Sequence, residues 1–213
     1  MNRYNYRQRQ RMSRQTMIVP IILAAGPARP LPWPKALAPF GRKTAFQIAL
    51  ENCVGLDTPV VVLGHRAAEI RPAVPPGVRV VINRSWQRGQ LSSLLAGLRR
   101  VPPGADFMLY PVDYPLLKPA TLRRLVASFK GRSRHQAIVA PIFRRRQGHP
   151  VIFSAALRAE LRRARTAKEV VERDPRRVQL VPVGTPAIWR DFSSPISYRR
   201  RRREYRGRSG NAR

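Results

Sequence analysis

The sequence predicts an α/β domain built on a mainly parallel sheet with helices on both faces. Apolar runs of strand length alternate with segments that carry apolar residues at helical spacing, the pattern of parallel strands joined by helical crossovers. The strand runs are continuously apolar, as expected of strands covered on both sides. At 213 residues and 43% hydrophobic composition, the chain can bury a sizeable core and fits one large domain better than two.

The first element is MIVPIILAAG, residues 17–26, a buried strand too short to cross a membrane as a helix. With the Arg-rich residues before it, this run imitates the opening of a secretory signal. Pro20 inside it, and its use as the first strand of an α/β fold, favour the strand. The loop PARPLPWPK follows, and its four prolines forbid helix and stiffen the connection. Residues 44–54 read as a helix with Thr44 as a candidate N-cap, and 59–63 as a second strand. A short helix at 67–73, a third buried strand at 78–82 and a helix at 91–100 come next. Residues 106–112 form a fourth strand that ends on Asp113. The helix at 119–129 carries proline near its start, where a missing N–H does no harm. Strands at 137–143 and 151–153, helices at 155–163 and 167–173, and a last strand at 178–183 complete the alternation. The domain therefore spans residues 17–198. The tails, 1–16 and 199–213, lack hydrophobic residues for packing and are expected to be disordered when unbound.

Lys plus Arg number 42 against 11 Asp plus Glu, a net charge of +31. The two tails hold +12 of this, from 13 Arg and Glu204, and residues 17–198 keep +19. Such an excess either attracts phosphate-bearing ligands or nucleic acid or, since only 5 of the 42 are Lys, reflects a coding bias toward Arg. Cys53 is the single cysteine, which excludes an internal disulfide and a thiolate zinc cluster and suits a reducing cytoplasm. No apolar stretch reaches the ~18 residues of a membrane span.

In a parallel α/β sheet ligands bind beyond the carboxyl ends of the strands, where strand order reverses. That rule selects residues 24–35, 64–65, 83–93 and 113–115. Leu23, Ala24, Ala25 and Gly26 close the first strand with backbone that a ligand can approach, and Lys35 lies nine residues beyond Gly26. Exposed amides with one ammonium suit a triphosphate. The pattern is not a Walker loop, since no Gly precedes Lys35 and Ala36 follows it. Asp113, at a strand's carboxyl end, suits a hard cation or a turn and helix N-cap. Ser92 and Ser93 either cap their helix or meet a nucleotide. His149, between Gly148 and Pro150, is either a substrate contact or a structural hydrogen-bonding group.

LAAGPARPLPWPKALAPFG resembles the signature loop of the MobA-like NTP transferases, which reads LAAG, then Ser, Arg, Met and Gly at set places, then Lys. Further likenesses follow in order: VVVLGH at 60–65, RGQLSSL at 88–94, VDYPLL at 112–117 and QGHPVIF at 147–153, the last similar to an RGHP segment of the cytidylyltransferase branch. The resemblance covers residues 17–198. It implies a three-layer αβα, Rossmann-like fold of the nucleotide-diphospho-sugar transferase type. It also implies an enzyme that moves an NMP from an NTP to a phosphorylated acceptor with Mg2+ as cofactor. By this likeness Leu23, Ala24, Ala25, Gly26, Gly89, Ser92 and Ser93 would hold the nucleotide. Lys35 would contact its phosphates, Asp113 would hold the metal, and His149 would lie on the substrate side. The RGHP-like segment points to CTP and a molybdopterin-type acceptor.

Several positions depart from the family pattern. Its loop Ser, Arg and Gly fall on Ala28, Pro30 and Pro32, with Arg29 as a neighbouring substitute for the guanidinium. Its Gly at the acidic turn is Val112, expected to press on the cation site. Its Asp-x-Asp-Thr-Pro becomes Asp191, Phe192, Ser193, Ser194 and Pro195, so a hydroxyl replaces a metal-binding carboxylate. Each such interaction is worth about 2–4 kcal/mol of transition-state stabilisation. Three readings therefore stay open: a cytoplasmic nucleotidyltransferase; a catalytically impaired relative that binds nucleotide or a partner; and a nucleic-acid binder contacting RNA nonspecifically through its Arg tails.

Overall fold

A computed structural model of the chain describes residues 17–27 and 31–210. β1 (Ile18–Ala24) leads through a 3-10 turn at Lys35–Leu37 into a small hairpin, β2 (Pro39–Phe40) and β3 (Lys43–Thr44), and then helix α1 (Ala45–Asn52). β4 (Val60–Leu63), α2 (Ala67–Ile70), β5 (Arg79–Ile82) and α3 (Gln90–Leu98) follow. Next come β6 (Asp106–Pro111), α4 (Pro119–Lys130), β7 (Ile138–Phe143), β8 (Arg146–Gln147) and β9 (Val151–Phe153). The last elements are α5 (Arg158–Arg163), α6 (Ala167–Glu172), β10 (Val178–Pro182) and α7 (Pro195–Gly210).

The main sheet runs β10-β7-β9-β6-β1-β4-β5, with β8 attached to β7. β1 is parallel to β4 and β6, β4 to β5, and β7 to β10; β9 is antiparallel to β6 and β7, and β8 to β7. All seven residues of β1 are buried, and its alternate side chains divide between two cores. Ile18, Ile22 and Ala24 face α1 and α4 through Phe46, Ala49, Leu122, Leu125 and Phe129. Val19, Ile21 and Leu23 face α3, α5 and α6 through Leu94, Leu98, Leu161 and Val170. Each fully buried side chain of this size contributes about 1.5–3 kcal/mol. The result is the three-layer αβα architecture that the sequence implies.

Local signals act where the sequence places them. Thr44 caps α1: Gln47 N–H donates to its hydroxyl at 3.2 Å, and Thr44 N–H donates to Gln47 Oε1 at 2.8 Å. Such reciprocal capping is worth about 1 kcal/mol. Two expectations need correction. The run 78–82 reads as a buried strand, but β5 is the sheet edge with only β4 beside it, and its side chains are part-exposed. The second concerns the C-terminal segment from residue 199, expected to be a disordered tail. It is helical to Gly210 as part of α7. Tyr198 and Tyr205, seven residues apart, fall on one side of that helix. Tyr198 is buried, its hydroxyl donates to the Pro39 carbonyl at 2.7 Å, and both rings lie within 6 Å of the Phe40 ring. They complete a third small core with Leu31, Ala38, Ile48 and Phe192. The N-terminal tail, 1–16, lies outside the described residues. No helix among the described residues is long and apolar enough to cross a membrane.

Candidate active site

After β1 the chain builds β4 and β5 on one side of it, then returns with β6 to the other. The crevice beyond β1 and β6 is thus the topological switch point, where α/β sheets place their ligands. Backbone hydrogen bonds continue the sheet into this crevice: Val112 N–H donates to Leu23 C=O at 3.1 Å, and His65 N–H to Ala25 C=O at 2.9 Å.

Lys35 and Asp113, 78 residues apart, meet there. Lys35 Nζ lies 2.7 Å from Asp113 Oδ2, with their side chains 19% and 17% exposed. Pro34 sets up the approach: its carbonyl accepts from Leu37 N–H at 2.9 Å, closing the 3-10 turn that carries Lys35. Asp113 C=O in turn accepts from Phe192 N–H at 3.2 Å, which ties the segment carrying Asp191 to the same crevice. The Asp191 carboxyl titrates above its ordinary range because of burial first and the Asp113 charge second, with Lys35 pulling in the opposite direction. One ammonium therefore serves two neighbouring carboxylates.

No group of three His, Cys, Asp or Glu side chains gathers to cage a metal among the described residues. Two carboxylates nevertheless suit Mg2+, which keeps several waters and is bound through one or two carboxylates plus substrate phosphates. Asp191 was legible as the first acid of its motif but was not singled out. The position that lost its carboxylate, Ser193, is exposed and donates its N–H to Ser197 Oγ at 3.0 Å, helping to start α7.

The other residues named from the sequence fall into distinct places. The side chains of Leu23, Ala24 and Ala25 are buried, so only their backbone is on offer. Gly26 is exposed, with open space where a Cβ would stand. Gly89, at φ +93°, is the N-cap residue of α3. Neither serine caps that helix. Asn83 Nδ2 donates to Ser92 Oγ at 2.9 Å and Ser93 Oγ at 3.0 Å, while Ser92 Oγ donates to the carbonyls of Ser85 and Gly89. Both hydroxyls fasten the loop between β5 and α3, and Ser93 is buried. Val112 does not press on the cation site, because its side chain lies in the core with Ala24, Leu116 and Ile188. Ala28, Arg29 and Pro30 lie outside the described residues. Pro32 is exposed, and its carbonyl accepts from Arg66 Nη1 at 2.9 Å.

His149 belongs to a cavity of about 710 Å³ that also takes in Tyr114 and Asp191. Leu109, Val151 and Phe153 line it from the sheet, and Lys168 and Val171 from α6. Gly148 is required for this geometry, since a Cβ there would collide with the Ile188 carbonyl, which accepts from His149 N–H at 2.7 Å. Burial pushes the His149 imidazole down to about 4, so it is neutral at pH 7. His149 Nδ1 and Trp189 Nε1 are buried without hydrogen-bond partners among the described residues, and both side chains belong to the cavity lining. Unpaired buried polar atoms are costly, and because neither atom has exposed surface, a ligand reaches them only if the lining shifts. The Arg146 guanidinium lies 4.7 Å from the Trp189 ring centre. Tyr114 lies in the strand-end segment 113–115 that the sequence selects, and Trp189, which the sequence leaves equally able to pack or to stack on a base, lines the cavity. Arg146 is the lining residue that the sequence does not single out, and its nearness to His149 in the chain is the available signal.

A family model, the MobA-like NTP transferase domain, matches residues 20–179. Over 147 residues the chain is 34% identical to nicotine blue oxidoreductase of Paenarthrobacter nicotinovorans, covering 65% of this chain and 71% of that protein. The crystal structure of Rv0371c from Mycobacterium tuberculosis H37Rv is similar with a TM-score of 0.75 and 31% identity, covering 87% of this chain and 96% of that one. Its complex with manganese is similar at 0.72 and 30%, covering 87% and 97%. A nucleotidyl transferase from Methanothermobacter shares the fold at 0.78 and 23% identity, covering 91% and 100%. The matched stretch runs from inside β1 into β10 and contains both Lys35 and Asp113, and the chain belongs to the MobA-like NTP transferase family.

Proposed function

We propose that this chain is a Mg2+-dependent nucleotidyltransferase that moves an NMP from an NTP, with CTP as the preferred nucleotide, to a phosphorylated, molybdopterin-type acceptor. The observation that carries this reading is the 2.7 Å contact of Lys35 with Asp113 at the switch point. A carboxylate and an ammonium converge there, the pair of groups that a metal-bound polyphosphate requires. An acceptor phosphate oxygen attacks the α-phosphorus of the NTP, a new P–O bond forms, the bond to the bridging oxygen breaks, and pyrophosphate leaves. No side-chain nucleophile is needed, so the protein's task is alignment and charge neutralisation.

In this reading Lys35 turns from Asp113 to the phosphates, and the backbone from Leu23 to Gly26 lies against the nucleotide. Asp113, with Asp191 beside it, would hold the Mg2+, which would supply positive charge to the phosphate oxygens. The acceptor occupies the cavity around His149, where a flat heterocycle lies among the rings of Tyr114, His149 and Trp189. A phosphate on it is drawn by Arg146 and Lys168, which also line the cavity. The neutral His149 accepts or donates a hydrogen bond there without adding charge. Nucleotidyl transfer is favoured over the oxidoreduction in the name of the Paenarthrobacter relative because the loop after β1 carries no G-x-G-x-x-G for a dinucleotide pyrophosphate, with no glycine between Gly26 and Gly41. We assign the protein to the cytoplasm.

The test is release of pyrophosphate by the purified full chain with Mg2+, each of the four NTPs, and a molybdopterin-type acceptor. The expected result is CTP-dependent release that is lost in Lys35→Ala and Asp113→Asn. Nucleotide binding without release would place the chain among impaired relatives, and oxidation of a nicotinamide cofactor in place of release would overturn the reading.

A further inference from the structure

We propose that the outward face of α7 is a docking surface for the sugar–phosphate backbone of a nucleic-acid strand. The inward face belongs to the fold. Tyr198 and Tyr205 pack on the β2–β3 hairpin, Glu204 accepts from Arg190 at 3.0 Å and from Arg201 at 2.7 Å, and Arg201 Nε donates to the Asp191 carbonyl at 3.2 Å. The helix is therefore held in place from one side.

The other side presents Arg199, Arg203 and Arg206, with Arg200 next to them, all exposed. Spacings of four and three residues align the first three in a stripe about 10 Å long, at ~1.5 Å of rise per residue. Arg199, Arg203 and Arg206 make no hydrogen bond or ion pair among the described residues, and Arg200 reaches Glu204 only at 3.5 Å. Like charges three and four apart on a helix repel. The stripe is thus a cost to the free helix that the aromatic packing overcomes and that a polyanion would relieve.

The chemistry favours phosphate. Guanidinium forks match phosphate oxygens two at a time, and the chain carries +31 to attract a polyanion from a distance. A membrane surface fits poorly, because a helix lying in lipid needs a free apolar face. The aromatic residues of α7 are turned inward, and only Ile196, 73% exposed, is apolar and outward. The proposal differs from binding by a free tail: the arginines are displayed on a folded helix anchored beside the active-site crevice. It does not depend on nucleotidyl transfer.

The experiment uses the full chain with fluorescein-labelled 12-nucleotide RNA and DNA strands, read by anisotropy from 50 to 400 mM KCl. The stripe is neutralised by Arg199→Gln, Arg203→Gln and Arg206→Gln together. A control removes equal charge elsewhere, at the exposed Arg123, Arg124 and Arg162, each changed to Gln. Single strands lose about 0.7 in log–log salt slope per contacted phosphate. The stripe variant should therefore show a slope shallower by about 2, and binding weaker by about tenfold at 50 mM KCl, with undiminished helix content by circular dichroism. The control should keep the original slope. Equal losses in both variants, no binding of either strand, or capture by phosphatidylserine vesicles in preference to the strands would each overturn the proposal.

Discussion

Lys35→Ala should destabilise the free protein in a way that depends on pH. A hydrogen bond to a charged group contributes about 1.5–3 kcal/mol. The two side chains are about one-fifth exposed, and solvent screening lowers the expected loss to about 1–2 kcal/mol. In a domain of this size each kcal/mol moves Tm by about 2–4 °C, so the variant should melt about 2–8 °C lower at pH 7.5. Asp191 supplies the pH dependence. Its folded-state carboxyl titrates above its ordinary value, so the stability it contributes is complete below the unfolded pKa of ~3.9 and is lost as pH rises through the raised value. Lys35 pulls that titration down, and removing it leaves Asp113 and Asp191 as two close carboxylates without their cation. The deficit relative to the unmodified chain should therefore be smaller at pH 5 than at pH 7.5. Millimolar Mg2+ should recover part of it by supplying positive charge to both carboxylates. Thermal unfolding followed by circular dichroism at the two pH values reads this out. A deficit that is equal at both, or that widens on acidification, means that Asp191 does not share the Lys35 charge.

Two further substitutions and one labelling experiment report on the surroundings. Gly148→Ala forces a Cβ against the Ile188 carbonyl; overpacking of this kind costs about 1–3 kcal/mol or more, and Tm should fall while acceptor KM rises more than nucleotide KM. Asn52 Nδ2 donates to Tyr110 Oη at 2.8 Å and to Leu117 C=O at 3.1 Å inside the core, so Asn52→Ala should cost about 2–3 kcal/mol in chemical denaturation; a loss below 1 kcal/mol would show that water replaces the amide. Burial pushes the Cys53 thiol well above its ordinary range, so a disulfide reagent at pH 8 should label it only on unfolding; rapid labelling of the native chain would place it at the surface.

The strand–helix alternation was readable because long-range order in an α/β sheet is written locally, as apolar runs and caps such as Thr44 with Gln47. Asp113 was readable as a strand-end position and Lys35 as the end of the loop that follows the first strand, although their meeting across 78 residues is a property of topology rather than of spacing. Edge and interior strands are harder to separate, because Val80 and Val81 look the same in either place. The C-terminal helix was hidden for a different reason. Six arginines between 199 and 206 swamp the composition, while Tyr198 and Tyr205 anchor the segment through partners 158 or more residues earlier in the chain. The cavity as a whole was hidden, since Tyr114, Arg146 and Trp189 come from a turn after β6, from β8 and from a 3-10 turn after β10, and only the fold assembles them. Of the two readings for Ser92 and Ser93, helix capping does not hold, and both hydroxyls accept from Asn83.

Calorimetric titration of CTP into the full chain, with and without Mg2+, asks whether Asp113 and Lys35 together form a metal–nucleotide site. The account expects Mg2+ to tighten CTP binding at least tenfold in the unmodified chain, Asp113→Asn to abolish that gain, and Lys35→Ala to weaken binding under both conditions. Equal CTP affinity with and without Mg2+, unchanged by either substitution, would show that the nucleotide binds elsewhere or that this crevice serves another ligand.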